Sequence, residues 1–309
     1  MNLKGIDPEQ YKMNYEPEPD ILESILKQAN YKQIQFEEPF SHNVTSMSKC
    51  LRQRWFKWYD YPRIKKEPDP IYEAWGWMGN AVEDHIIDLT KKAGIYRAEQ
   101  VRVKQRDPNI SGAIDIIIEL DGRLYPVEVK SAKTESFQDT KEFVCQHCRG
   151  KMWKTAKFCK LCGAEEKPIE RVLWPGAESK ISFDYYCQLQ MYLYLVSNSG
   201  KVLNGKPVIF DQGFLWYYNK NTGDQVIHRV QYDERIVDWL IEKTIEFDQC
   251  IESGDMPARM FHAHITRFGI GTKSDWHCRF CDYKYNCYEN EILQKNPKFF
   301  EKERDENGN

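Results

Sequence analysis

Hydrophobic spacing along the chain alternates between two periods, and the switches mark out its elements. From Ile114 to Ser131 the sequence IDIIIELDGRLYPVEVKS sets two β-branched runs about Asp121-Gly122, the dipeptide preferred by a two-residue type I′ turn. Pairing Leu120 with Arg123 places Asp115 directly across from Glu128, and Lys130 shares a strand face with Glu128. Ile116, Ile117 and Ile118 do not alternate with polar residues, nor does much of Tyr125 to Val129, so both faces of this hairpin are expected to be covered. Pro126 falls in a non-hydrogen-bonded pair, where the hairpin asks no donor of it.

Helical spacing governs the flanks. Gly79 to Lys92 predicts a helix with Met78, Val82, His85 and Leu89 on one apolar stripe and Gly79 and Glu83 stacked beside it. Tyr96 to Lys104 alternates as a strand. Phe183 to Val196 predicts a second helix, with Gln188 and Tyr192 one turn apart on one face. Such a glutamine in an apolar helix calls for a polar partner, and the hairpin carboxylates or a substrate phosphate would serve. Pro207 to Tyr218 and Gln225 to Gln231 predict a second hairpin, and Asp233 caps a long amphipathic helix ending near Gly254. This order of helices and strands predicts an α/β fold, a mixed central sheet flanked by helices.

At 309 residues, 41% hydrophobic and 29% charged, the chain can bury one large core with an insertion. The expected domain spans 41–290, with a loosely held arm at 1–40 and a charged tail at 291–309. The start is polar and no apolar run reaches membrane-spanning length, so a cytoplasmic protein with no membrane partner is expected. A net charge of −3 counts against a protein that coats nucleic acid. Local clusters say more: Lys49, Arg52, Arg54 and Lys57 interleave with Trp55, Phe56, Trp58 and Tyr59, either as a nucleic-acid grip or as a core helix with a solvated basic face.

Candidate chemistry lies in three places. Asp115 and Glu128 would have Cβ atoms roughly 4.5–5.5 Å apart, and two carboxylates that close need a cation between them. A divalent metal flanked by the Lys130 ammonium would meet that need. On the preceding helix, Glu83 and His85 project about 200° apart and cannot serve one site, and Glu83, beside the gap left by Gly79, is the chosen ligand. Second, Cys145-x2-Cys148 and Cys159-x2-Cys162 form two knuckles that suit a tetrahedral zinc, within an insertion at 138–178. Third, Cys278-x2-Cys281-x5-Cys287 offers three thiolates for zinc or an iron–sulfur cluster. Its fourth ligand must come from afar: Cys50, Cys187, Cys250, His262, His264 or His277.

The assembled pattern resembles the PD-(D/E)XK nuclease superfamily, specifically its RecB-like branch that carries an iron–sulfur cluster. Asp115 matches the acidic strand motif, Glu128-Val129-Lys130 the ExK strand, and Gln188-Leu189 with Tyr192 the QLxxY helix. In cluster-bearing members one cysteine follows a short Ser/Thr-rich segment near the amino end, and here TSMSKCLRQRW supplies Cys50 to join Cys278, Cys281 and Cys287. The fit runs from about residue 45 to 288, and the size is most similar to CRISPR-associated exonucleases and phage-encoded relatives. Where the family often has G-x3-H, this chain has Gly79-x3-Glu83, and the 138–178 insertion is not part of the general pattern.

The resemblance implies a restriction-endonuclease-like core with a zinc-ribbon insertion. It further implies a Mg²⁺- or Mn²⁺-dependent DNA exonuclease acting on single-stranded ends in recombination, repair or spacer processing. Glu83, Asp115, Glu128 and the Val129 carbonyl would hold the ion, while Lys130, Gln188 and Tyr192 complete the catalytic set. A [4Fe–4S] cluster would join the ends of the domain. The ribbon could engage DNA or a protein partner, and oligomeric state is left open. The competing reading is a DNA-end or partner-binding protein that keeps this fold without cutting. No GxxxxGK[ST] segment is present, so a helicase motor is not expected.

Overall fold

The computed structural model describes residues 41–61 and 70–300, apart from 175, 201, 204, 209, 210, 268 and 272; the expected arm at 1–40 and residues 301–309 of the expected tail lie outside them. The main elements run β1 (His42–Asn43), α1 (Leu51–Trp58), α2 (Pro70–Lys92), β2 (Tyr96–Arg106), β3 (Asn109–Leu120) and β4 (Arg123–Ala132). After them come β5 (Thr140–Val144), β6 (Ile169–Trp174), α3 (Phe183–Ser199), β7 (Gln212–Asn219), β8 (Gln225–Gln231), α4 (Glu234–Ser253) and α5 (Glu289–Lys295).

The central sheet is mixed and is built on β3. One edge of β3 carries β2, antiparallel, almost along its full length. The other edge is divided: β4 pairs antiparallel with residues 116–120, and β1 pairs parallel with Ile110 and Ser111. Strand β4 continues the sheet in parallel to β7, which forms a hairpin with β8. The turn between β3 and β4 has positive φ at both Asp121 (50°) and Gly122 (76°), as a type I′ turn requires, and Leu120 faces Arg123 as the sequence predicts.

Both sheet faces are buried. On one, Ile110, Ile114, Ile117 and Leu124 pack with Met191 and Leu195 of α3 and Val237 and Leu240 of α4. On the other, Ile116, Ile118, Val127 and Val129 pack with Val82, Ile86 and Ile87 of α2. Each such side chain, fully buried, contributes about 1.5–3 kcal/mol, so this hairpin is held from two sides. Gly112 in β3 is required by contact, since a Cβ there would lie 2.7 Å from the Tyr192 ring of α3.

Four expectations change. The buried stripe of α2 is Val82, Ile86, Ile87 and Thr90; Met78 and His85 are exposed and Leu89 only half-buried, because the Ile86-Ile87 pair turns the helix onto the sheet. The second hairpin starts at Gln212 rather than Pro207. The basic group on and just before α1 is largely consumed internally: Arg54 donates to His42 Nδ1 at 2.6 Å, Lys49 pairs with Asp184, and Arg52 donates to the Pro257 carbonyl at 2.8 Å, while Trp55 and Phe56 are buried and Trp58 and Tyr59 exposed. Finally, ordered chain continues past 290, where Ile292 of α5 is fully buried and Phe299 and Phe300 pack on Tyr285. No helix among the described residues is long and apolar enough to cross a membrane.

Candidate functional site

Strand β3 changes face at Asp115. Ile114 and Ile117 enter one core cluster although they are three residues apart, whereas Ile116 enters the other. A regular strand repeats its face every two residues, so the backbone is irregular here. The ladder agrees. Pairing with β4 stops at Ile116 and Val127, pairing with β2 skips the Gln100–Asp115 position, and Gln100 has φ of 48°. A non-glycine residue in that region costs of order 1–3 kcal/mol and collects at functional sites.

At this break the Asp115 carboxylate takes over a ladder position, its Oδ2 accepting from the Val129 backbone N–H at 2.8 Å. Because a strand residue directs its N–H and C=O to the same edge, the Val129 carbonyl faces the Asp115 side as well. Glu128 is fully buried, its Oε1 accepting from Lys130 Nζ, while Oε2 has no hydrogen-bond partner among the described residues. A buried, half-satisfied carboxylate is costly unless it is neutral or another cation lies against it.

The electrostatics follow from that crowding. Burial, then the charge of Asp115, pushes Glu128 up to about 8, against the pull of Lys130. Burial also raises Asp115, opposed by Lys130 and the Val129 amide. Glu83 on α2 is raised by burial and by Asp115, and accepts a hydrogen bond from the Gln100 amide. Burial works against the charge on Lys130, but Glu128 and Asp115 outweigh it and raise its pKa. Three acidic groups and one ammonium therefore share a field. The Asp115 and Glu128 carboxyls approach closely enough for a hydrogen bond between them, which lowers Asp115 against its burial.

Gln188 and Tyr192 do lie one turn apart on α3, but the glutamine's polar partner is the tyrosine: Gln188 Nε2 donates to Tyr192 Oη at 3.2 Å. The Ala113 backbone N–H also donates to Tyr192, whose pKa is raised by burial and by Glu128. The pair thus fixes β3 just before Asp115. His85 is exposed, its ring meeting Tyr218 edge-on at 5.5 Å, while Glu83 lies within the field of Asp115. Two residues escaped the sequence reading. Tyr185 lies one turn before Gln188 on α3, a spacing that could have flagged it, and its ring centroid is 5.0 Å from Lys130 Nζ. Gln100 gave no signal, because its role depends on a backbone conformation imposed by the sheet.

The cysteines form two separate quartets. Cys145, Cys148, Cys159 and Cys162 have sulfurs all within 4.8 Å of one another, with 3.6 Å between Cys145 and Cys162 and 3.5 Å between Cys148 and Cys159. Zn–S bonds of about 2.3 Å in a tetrahedron put sulfurs about 3.8 Å apart, so this quartet could hold a metal ion such as zinc. Backbone N–H groups of Cys162 and Leu161 lower Cys159 to about 7, favouring thiolate. Cys50, Cys278, Cys281 and Cys287 instead line one cavity of about 400 Å³, open mouth included, with Arg52, Arg259 and Lys284 also at its wall. Cys187 and Cys250 are not among its lining; Cys187 is buried in the core between α3 and α4.

No family model matches the chain, and no curated protein does. Among solved structures, the crystal structure of SSO0001 is similar at 16% identity and a TM-score of 0.46, covering 86% of this chain and 96% of that one.

Proposed function

We propose that this protein is a divalent-metal-dependent DNA nuclease of the RecB-like type, an exonuclease acting on single-stranded ends. The observation that carries the reading is the orphaned Oε2 of a fully buried Glu128, set beside Asp115, Glu83 and the Lys130 ammonium. An all-oxygen donor set of this kind suits Mg²⁺ or Mn²⁺, held by Asp115, Glu128, Glu83 and the Val129 carbonyl. Such an ion supplies Lewis acidity to the scissile phosphate and to the attacking water.

The chain's own groups do the rest. Burial favours a proton on Glu128, and a divalent ion held there would favour its loss. Lys130, kept protonated by its neighbours, offsets the extra negative charge of the phosphorane-like transition state. Tyr185 limits the lysine's swing through a cation–π contact, and Gln188 with Tyr192 holds the strand that carries Asp115. Leaving-group departure and strand polarity are set by how DNA lies across this edge.

The second cysteine quartet fits a [4Fe–4S] cluster better than a single zinc. Its sulfurs do not close to within 4.8 Å as the knuckle's do, and they are spread around a cavity with cationic walls. The Tyr283 backbone N–H donates to Cys281 Sγ at 3.4 Å, a contact that suits a thiolate ligand. Iron content and visible absorbance of anaerobically purified protein test this. For the reaction, end-labelled single-stranded DNA is incubated with Mn²⁺ and wild type or Lys130→Ala. Shortening from one end by wild type alone supports the reading; equal inertness of both proteins favours the DNA-end or partner binder.

A further inference from the structure

We infer that the two-knuckle insertion between β5 and β6 is a single-stranded DNA guide, whose outward aromatic and cationic side chains lead a strand toward the Asp115–Glu128 edge. The inference rests on the nuclease reading for its destination but on separate residues for its binding. From Arg149 to Lys160 the chain has five basic side chains (Arg149, Lys151, Lys154, Lys157 and Lys160) and no carboxylate. None of the four lysines forms an ion pair with a described residue. Across 138–178 eight Lys and Arg accompany six Asp and Glu, and zinc held by four thiolates would add a formal charge of about −2, so the insertion's positive charge is concentrated in this stretch rather than spread over it.

Apolar surface is displayed alongside that charge. Trp153 is 79% exposed, Leu161 75% and Phe158 53%, although the same insertion buries Met152, Cys145 and Cys159. An indole left in water forgoes the burial that normally makes tryptophan stabilising, so Trp153 adds nothing to the packing of the insertion. Aromatic rings between unpaired lysines are what a flexible phosphate strand with accessible base faces would engage. Duplex DNA satisfies the lysines but hides its bases from the rings.

The stems of the insertion fix where it joins the fold. They leave the sheet between β4, which carries Glu128 and Lys130, and α3, which carries Tyr185, Gln188 and Tyr192. Three contacts clamp the exit point: Ala177 N–H to the Ser136 carbonyl at 2.7 Å, Gly176 N–H to Asp139 Oδ1 at 2.9 Å, and His228 Nε2 to the Ala177 carbonyl at 2.6 Å. Gly176 is needed there, because a Cβ would lie 2.1 Å from the Phe137 carbonyl oxygen. The arm is thus rooted just beyond the end of β4, the strand that carries Glu128 and Lys130.

The test is fluorescence anisotropy of full-length protein with a labelled oligodeoxynucleotide, single-stranded or duplex, in chelator-free buffer without added divalent ions so that nothing is cut. Wild type is compared with Trp153→Ala and with Lys154→Gln/Lys157→Gln, each checked for unchanged zinc content. We expect single strands to bind more tightly than duplex, Trp153→Ala to weaken them roughly tenfold, as loss of one base stack would, and the double lysine variant to reduce the salt slope by about 1.4. Unchanged affinity and slope in both variants would overturn the guide, as would equal or stronger duplex binding, or binding of an acidic peptide in competition with DNA. Because binding is read without catalysis, a protein that binds as expected yet never cuts would refute the nuclease reading alone.

Discussion

The carboxylate site and the two-knuckle insertion both gather anionic ligands, yet one is closed and the other is open. In the knuckles four sulfurs approach to 3.5–3.6 Å in pairs, and each turn supplies its own N–H donors, so the quartet is assembled by local chain alone. At Asp115 and Glu128 the ligands come from two strands and a helix, one carboxylate oxygen is left without a partner, and burial holds a carboxyl near about 8. The difference separates them chemically: a satisfied soft-donor set has little capacity left for a further ligand, whereas an unsatisfied hard-donor set keeps such capacity.

The largest effect that would sharpen the contrast is on the reaction. Asp115→Asn or Lys130→Ala is expected to lower the cleavage rate about a thousandfold or more with zinc content unchanged, while Lys130→Ala also lowers the melting temperature because it strips the buried Glu128 of its hydrogen-bond partner, measured by end-label release, metal analysis and thermal melts. Cys159→Ala should do the reverse. It is expected to abolish metal binding at the knuckles and to expose residues 145–171 to limited proteolysis, while the sheet core keeps its melting temperature, because no strand of the central sheet passes through the knuckles.

Acidity distinguishes the two regions next. Glu128 binds its proton more tightly folded, with a pKa of about 8, than unfolded, so the folded state holds the extra proton between the two values. Metal-free stability should therefore fall as pH rises from the ordinary carboxylate range through about 8, by an amount on the order of a few kcal/mol. Asp115 and Glu83, also raised, act in the same direction. Glu128→Gln should flatten that fall in chemical denaturation, and Mg²⁺ affinity of the wild type should climb over the same interval.

Much of this arrangement was legible in the sequence because it is local. The Asp-Gly turn set the register, the continuous isoleucines announced two covered faces, and the knuckle spacing brought four thiols together. What escaped depended on the tertiary environment. Which face of α2 is buried was set by the sheet it meets, so Ile86 rather than His85 turned inward. The α1 cations looked free in the sequence, but Arg54 is used to brace His42, which itself contacts Asp248 at 2.8 Å. Gln100 could not be found by composition at all.

That residue supplies the smallest and most discriminating prediction. Gln100→Gly relieves a left-handed backbone but removes the hydrogen bond to Glu83. Stability should rise by roughly 1 kcal/mol while Mn²⁺ affinity falls a few-fold, and Gln100→Ala should lose affinity without gaining stability. Parallel changes in both quantities would mean that Gln100 is only structural.

The central claim is that a divalent cation sits between Asp115 and Glu128 beside Lys130. Manganese-edge anomalous diffraction from crystals grown with Mn²⁺ tests it most directly. The account predicts a peak bonded to both carboxylates, including the oxygen of Glu128 that otherwise lacks a partner. An anomalous map with no peak there, while Lys130 alone bridges the two acids, would contradict it.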